Sequence, residues 1–187
     1  VSNSASLNPP IIWIDCEMTG LSLENDALVE IGVLVTDGEL NVLGVGVDVV
    51  IKASEAHLAQ MNDFVRTMHN ESGLLAEIPH GKSLAEAEDE VLTYLSTHCQ
   101  NGQSPLAGNT ILMDRNFISR DMPRLNSFIH YRTIDVSSIK ELAKRWYPKA
   151  YESAPAKTGN HRALADIRDS IAELAHYRAT IFQDIGN

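Results

Sequence analysis

The chain has 187 residues, 44% hydrophobic and 21% charged, with a formal net charge of −10 at pH 7. That length suits one domain with a proper core, and no apolar run approaches the roughly 20 residues that span a bilayer. The acidity argues against a broad basic face that collects the phosphates of long nucleic acid, and favours a short substrate held at one point, where metal ions supply the positive charge.

Residues 1–10 are small, polar and proline-ended, and are expected to form a flexible tail ahead of a single domain over 11–187. No signal peptide is visible. The first element is Ile11-Ile12-Trp13-Ile14-Asp15-Cys16-Glu17-Met18-Thr19-Gly20-Leu21. It begins as an apolar run with β-branched residues and ends in a glycine turn, the pattern of a buried strand. Alternation puts Asp15 and Glu17 on one face and Cys16 on the other. Two like charges on a core strand repel each other and lose hydration. A divalent metal offsets both effects; the alternative is a strand end with two solvated acids.

A polar turn over 22–26 leads to β-rich runs at 27–36 and 42–51, separated by the Asp37-Gly38 turn signal. Glu30 interrupts the second run, as a further ligand, a buried acid paired with a nearby group, or an acid at a strand edge. Residues 54–69 read as a helix, with Leu58, Met61, Phe64, Val65 and Met68 at helical spacing; on spacing alone Phe64 is a core residue. Ser83 and Glu86 form a capping box for the next helix, whose stripe is Leu84, Ala87, Val91, Leu92 and Leu95. Its acids Glu86, Glu88, Asp89 and Glu90 read as a solvated face. Leu106-Ala107-Gly108-Asn109 is a short strand, and a helical segment over 115–122 follows Asp114 until Pro123. Residues 131–136 form another strand. Ser138 and Glu141 make a second capping box before a helix over 139–146, 148–159 is a loop, and the last helix covers 162–182. The order predicts an α/β fold: a mixed sheet whose first three strands are antiparallel, flanked by helices.

Asp114 and Asp166 stand at element boundaries, and His161 precedes the last helix. Five residues along a helix turn about 500°, so His161 and Asp166 converge only if His161 lies at or before the helix start. A histidine there suits a proton acceptor, since imidazole is mostly neutral at pH 7. Asp15, Glu17, Asp114 and Asp166 would make four carboxylates around one point. Hard oxygen ligands select Mg²⁺ or Mn²⁺ over zinc, and two such ions clamp an in-line displacement at a phosphate. D-x-E and H-x-x-x-x-D are each common by chance; their order, with an Asp after a strand between them, is much more specific. The two cysteines, Cys16 and Cys99, are too few for a disulfide framework, so the expected compartment is a reducing one, the cytoplasm.

The arrangement resembles the DEDDh 3′-to-5′ exonucleases, which share an RNase H-like five-stranded sheet. Residues 13–21 resemble the oligoribonuclease family among them. So do Pro105-Leu106-Ala107-Gly108-Asn109, His130-Tyr131-Arg132-Thr133-Ile134-Asp135-Val136-Ser137, Lys140-Glu141-Leu142-Ala143-Lys144-Arg145-Trp146 and His161-Arg162-Ala163-Leu164-Ala165-Asp166-Ile167. The likeness runs from about residue 11 to 182.

The resemblance implies a homodimer that degrades very short RNA from the 3′ end, dinucleotides above all, including the linear dinucleotide pGpG, to nucleoside 5′-monophosphates. It makes Asp15, Glu17, Asp114 and Asp166 the ligands of two Mg²⁺ or Mn²⁺ ions and His161 the general base. Leu21 resembles a wedge between the two bases, and Phe64 stands where the family usually has a tryptophan that stacks on the 3′ base. Thr110 stands where a serine often contacts the 5′-phosphate. His130, Tyr131 and Arg132 resemble the group that reaches this phosphate from the partner subunit. Asp135 matches a family position that is not catalytic. Ile111-Leu112-Met113 departs from the more polar segment expected before Asp114. The alternative reading is a DEDDh exonuclease acting on longer single-stranded DNA or RNA ends, which calls for a basic track that this composition lacks.

Overall fold

The computed structural model describes residues 8–157, 159 and 161–182. Of the tail expected over 1–10, residues 1–7 lie outside the described residues. Strands β1 (Ile11–Met18), β2 (Leu28–Thr36) and β3 (Val42–Val50) come first. Helices α1 (Glu55–Gln60), α2 (Asp63–Glu71) and α3 (Leu74–Glu77) follow, then a 3₁₀ turn at Ile78–His80 and α4 (Leu84–His98). The chain continues through β4 (Leu106–Gly108), α5 (Leu112–Asp121), α6 (Pro123–Phe128), β5 (Thr133–Asp135), α7 (Val136–Trp146), α8 (Pro148–Glu152) and α9 (Ala163–Thr180). The strands form one mixed sheet in the order β3-β2-β1-β4-β5. The β1–β2 and β2–β3 pairs are antiparallel, and β4 runs parallel to β1 and β5. This is the five-stranded arrangement expected from the sequence. No helix of the described residues is long and apolar enough to cross a membrane.

The alternation of β1 separates two cores. Ile12, Ile14, Cys16 and Met18 pack with Ala87, Val91 and Leu95 of α4 and with Phe117 and Ile118 of α5. Ile11 and Trp13 face the opposite way, toward Ile167, Ile171 and Leu174 of α9. The indole Nε1 of Trp13 donates to Thr36 Oγ1 at 3.0 Å, which satisfies its one polar atom in that core. Asp15 and Glu17 continue the Trp13 row by period two, so both acids point to the α9 side of the sheet.

Strand β2 is buried along its whole length. A Cβ on Gly32 would stand 2.8 Å from the Ala163 carbonyl carbon and from the Leu164 nitrogen, so the start of α9 rests directly on this strand. Gly32→Ala is expected to cost about 1–3 kcal/mol, the usual range for overpacking a tight contact. Denaturant melts check this, and an unchanged midpoint would mean that α9 shifts freely on β2. The edge strand β3 is only partly buried, with exposed and half-buried residues interspersed. Its register with β2 shifts between Val33 and Val35, and Gly44 and Gly46 adopt φ of 77° and 86°.

Several local expectations need correction. The helix expected over 54–69 is two helices, because Asn62 Oδ1 accepts from Val65 N at 2.9 Å and restarts the chain as an N-cap. The strand expected over 131–136 is only Thr133–Asp135. Helix α7 starts at Val136, ahead of the Ser138–Glu141 box, because Asp135 caps it by accepting from Ser137 N at 2.9 Å. Pro148 opens the short α8 inside the expected loop, in the first-turn position that suits proline. Pro123 likewise opens α6. Glu88 is not on a solvated face: it is 5% exposed. Its carboxylate accepts from Arg124 Nε at 2.8 Å and from Leu125 N at 2.9 Å, capping α6 from outside.

Candidate functional site

The row begun by Trp13 turns from apolar to acidic where the start of α9 comes down onto the sheet. Asp15, Glu17 and Asp166 each offer a carboxylate oxygen there, and these atoms all lie within 4.8 Å of one another. Asp166 reaches the cluster from the first turn of α9. Asp114 comes from the first turn of α5. Its Oδ1 accepts from Cys16 N at 2.9 Å, which ties it to β1 between the two strand acids.

Burial and mutual repulsion make this cluster costly by itself. Burial holds Asp15 well above the usual carboxylate range, and Asp114, Glu17 and Asp166 add to the rise. Glu17 is pushed up to about 8, by burial first and then by Glu30, Asp166 and Asp114. Burial likewise lifts Asp114 to about 7. Asp166 is also raised by burial, and His161 works against that rise. Clustered oxygen donors whose charged forms are disfavoured fit a hard divalent cation, which removes the repulsion and replaces the lost hydration.

A carboxyl with a raised native pKa binds its proton more tightly folded than unfolded. Stability therefore falls as pH rises from the ordinary carboxylate values toward the native ones. For Asp114 and Glu17 that window closes at about 7 and about 8. The chelated protein is expected to melt lower at about pH 8.5 than at about pH 6, and added Mg²⁺ or Mn²⁺ should narrow the gap by displacing those protons. Thermal melts in chelator and in metal at both pH values check this; a chelated protein that is more stable in alkali would contradict it.

His161 is exposed and lies just ahead of α9 with a left-handed φ of 47°. Glu17 also borders a cleft of about 410 Å³, lined further by Gly20, Leu21, Phe64, Val65 and Met68. Leu21 is 68% and Phe64 76% exposed, so spacing alone misjudges Phe64 as core. Asp26 shapes the turn that displays Leu21, accepting from Thr19 Oγ1 and from Ser22 N, each at 2.9 Å.

Thr110, His130, Tyr131 and Arg132 do not line this cleft. Thr110 follows β4 with φ of 55°; its N–H donates to Asp135 Oδ1 at 3.0 Å and to Ser137 Oγ at 2.9 Å. Asp135 therefore serves the backbone. His130 and Tyr131 have ring centroids 4.3 Å apart, and Arg132 lies 5.5 Å over the Tyr131 ring. Tyr131 is 72% exposed, so this stacked group faces outward.

His69 is a site residue that the sequence reading does not single out. It is fully buried; Nε2 donates to Met18 O at 2.8 Å and Nδ1 stands 3.9 Å from Glu17 Oε2. Burial lowers its pKa, which favours the neutral ring. The signal available was a histidine one residue after the Phe64–Met68 face, and nothing in it separates a core histidine from a site one.

A family model described as an exonuclease matches residues 12–174. The oligoribonuclease of Streptomyces avermitilis is 58% identical over 177 residues, covering 94% of this chain and 88% of that protein. The oligoribonuclease of Cutibacterium acnes is 59% identical over 172 residues, covering 91% and 85%. A structure of exonuclease I superposes with a TM-score of 0.73 at 13% identity, over 91% of this chain and 41% of that one. The metal-free Escherichia coli exonuclease I complex with single-stranded DNA gives 0.70 at 15%, over 92% and 40%. Those two likenesses are of fold, and the chain spans about two fifths of those larger proteins. The fold and the acidic site define a hydrolytic nuclease of the exonuclease class. Within that class the chain belongs to the oligoribonuclease family of exoribonucleases.

Proposed function

We propose that the protein removes nucleoside 5′-monophosphates from the 3′ end of very short oligoribonucleotides, dinucleotides such as pGpG above all. The observation that carries this reading is the meeting of Asp15, Glu17 and Asp166 within 4.8 Å, beside the cleft of Leu21 and Phe64. Asp15, Glu17, Asp114 and Asp166 would hold two divalent ions, Mg²⁺ or Mn²⁺. Such ions, when bound, supply charge stabilisation at the phosphate and a more acidic water.

The chain's own residues do the rest. His161 takes the proton of the attacking water, and its exposed place ahead of the Asp166 helix leaves it room to do so. Leu21 parts the two bases, and Phe64 offers a π-face to the 3′ base; stacking of this kind is worth about 1–3 kcal/mol. Thr110 and the group His130, Tyr131 and Arg132 meet the 5′-phosphate, the latter from a partner subunit. The homodimer this requires is supported by the apolar surface of α7, where Leu142 and Trp146 are exposed one turn apart, and by the exposed Leu112. We place this activity in one domain over 11–187 and in the cytoplasm, where the free thiols of Cys16 and Cys99 stay reduced.

The deciding experiment offers Mn²⁺ with a 5′-phosphorylated RNA dinucleotide, a 20-mer RNA and a 20-mer DNA. The dinucleotide should be hydrolysed fastest. Preference for either 20-mer would instead favour an exonuclease of longer ends.

A further inference from the structure

Helix α9 begins without a cap of its own: Arg162, at the N-cap position, makes no side-chain bond to the helix. The sheet supplies the cap. Glu30 lies directly opposite Glu17 on β2 and is fully buried. Its Oε2 accepts from Ala163 N at 3.0 Å, and its Oε1 accepts from Arg162 Nε at 2.7 Å. The rest of the guanidinium reaches the other way, binding Glu77 Oε1 at 3.0 Å and Oε2 at 3.1 Å. Glu77 is the last residue of α3, in the segment that follows Phe64 and His69 of α2.

Arg162 is thus gripped from two sides, and its chain neighbour is His161. The left-handed conformation of His161 is unfavourable for a residue with a side chain, and such residues persist where their surroundings over-determine them. The surroundings are visible here. The Arg162 side chain is fixed by three charge-assisted bonds, and the Ala163 N–H by one more. Behind them the backbone of Ala163 and Leu164 rests on Gly32 without space for a Cβ.

We propose that Arg162 is a positioning residue for His161, held between Glu30 of the sheet and Glu77 of α3. The Glu77 grip ties the proton-accepting end of the site to the segment that carries Phe64. Only a planar fork serves both carboxylates at once; a lysine ammonium has a single point of charge. This inference rests on the reading of His161 as general base. A merely structural ion pair at a half-exposed position would add little to stability and nothing to the rate of the chemical step.

The test uses Glu77→Gln and Arg162→Lys, each made in the wild type and in His161→Ala. Turnover of a 5′-phosphorylated RNA dinucleotide is measured with Mn²⁺, at high enzyme concentration for the His161→Ala background, beside melting temperature and Mn²⁺ affinity. Glu77→Gln should keep the melting temperature and the metal affinity, since Glu77 is exposed and its bonds go to Arg162 and not to the acidic cluster. It should lower kcat about tenfold with KM nearly unchanged, as expected for a small misplacement of a reacting group. In His161→Ala it should add no further loss, because the residue it positions is gone. Arg162→Lys should repeat the pattern with a larger loss. Wild-type kcat in Glu77→Gln overturns the clamp, and so does an equal fold loss in the His161→Ala background. If His161→Ala itself keeps wild-type kcat, the base reading and the clamp fall together. If it is slow while Glu77→Gln is fast, the clamp alone falls.

Discussion

Asp15→Ala is expected to lower dinucleotide turnover on the order of a thousandfold, the scale of losing a group that sets the charge balance around a reacting phosphate. Burial and three neighbouring acids, Asp114, Glu17 and Asp166, all hold the Asp15 carboxyl up. In the protein without metal, removing it relieves repulsion and burial cost together. The melting temperature of the chelated variant should therefore equal or exceed that of the wild type, while binding of Mn²⁺, read by calorimetry, weakens sharply. Loss of activity with gain of stability is the mark of a group kept for function at the expense of the fold. A variant that binds Mn²⁺ normally, or melts much earlier, would show that Asp15 serves the sheet instead.

His161→Ala should be nearly as damaging to rate and should differ in every other readout. Loss of a general base costs about 10²–10⁴-fold in kcat. His161 is exposed and sits outside the regular part of α9, so the fold should not notice its loss. Mn²⁺ affinity should also hold, because in this scheme the imidazole carries a proton and binds no ion. Comparable losses of metal affinity and turnover would make His161 a ligand and return the base role to another group. The two variants together separate holding the ion from moving the proton.

The acidic cluster was legible because two of its members obey the simplest rule of a strand. Asp15 and Glu17 are two apart, so the Trp13 row had to deliver both to one face. Asp166 and His161 were legible from where a helix had to begin. The network around them was not. Glu30 meets Ala163 N across 133 positions of sequence, and no local pattern distinguishes it from an unpaired strand acid. Glu88 looked solvated among Glu86, Asp89 and Glu90; it is buried because α6, whose N-cap residue Met122 makes no side-chain cap, takes one from it. Ser138 and Glu141 match a capping box, yet Asp135 already caps the helix three residues earlier. Local signals name which residues are able to cap, and the tertiary arrangement decides which of them do.

The sheet's two margins have a consequence for how the molecule behaves in a crowd of its own kind. An exposed strand edge is a template on which another chain can add. At one margin, β5 has only three residues, too few to seed a ladder. At the other, β3 is long and carries exposed valines, with Val45 83% exposed. Its broken register and the left-handed turns at Gly44 and Gly46 bend it out of the straight course that an incoming strand would have to follow. Each margin is blunted by a different device, and both guard the folded protein against edge-to-edge aggregation.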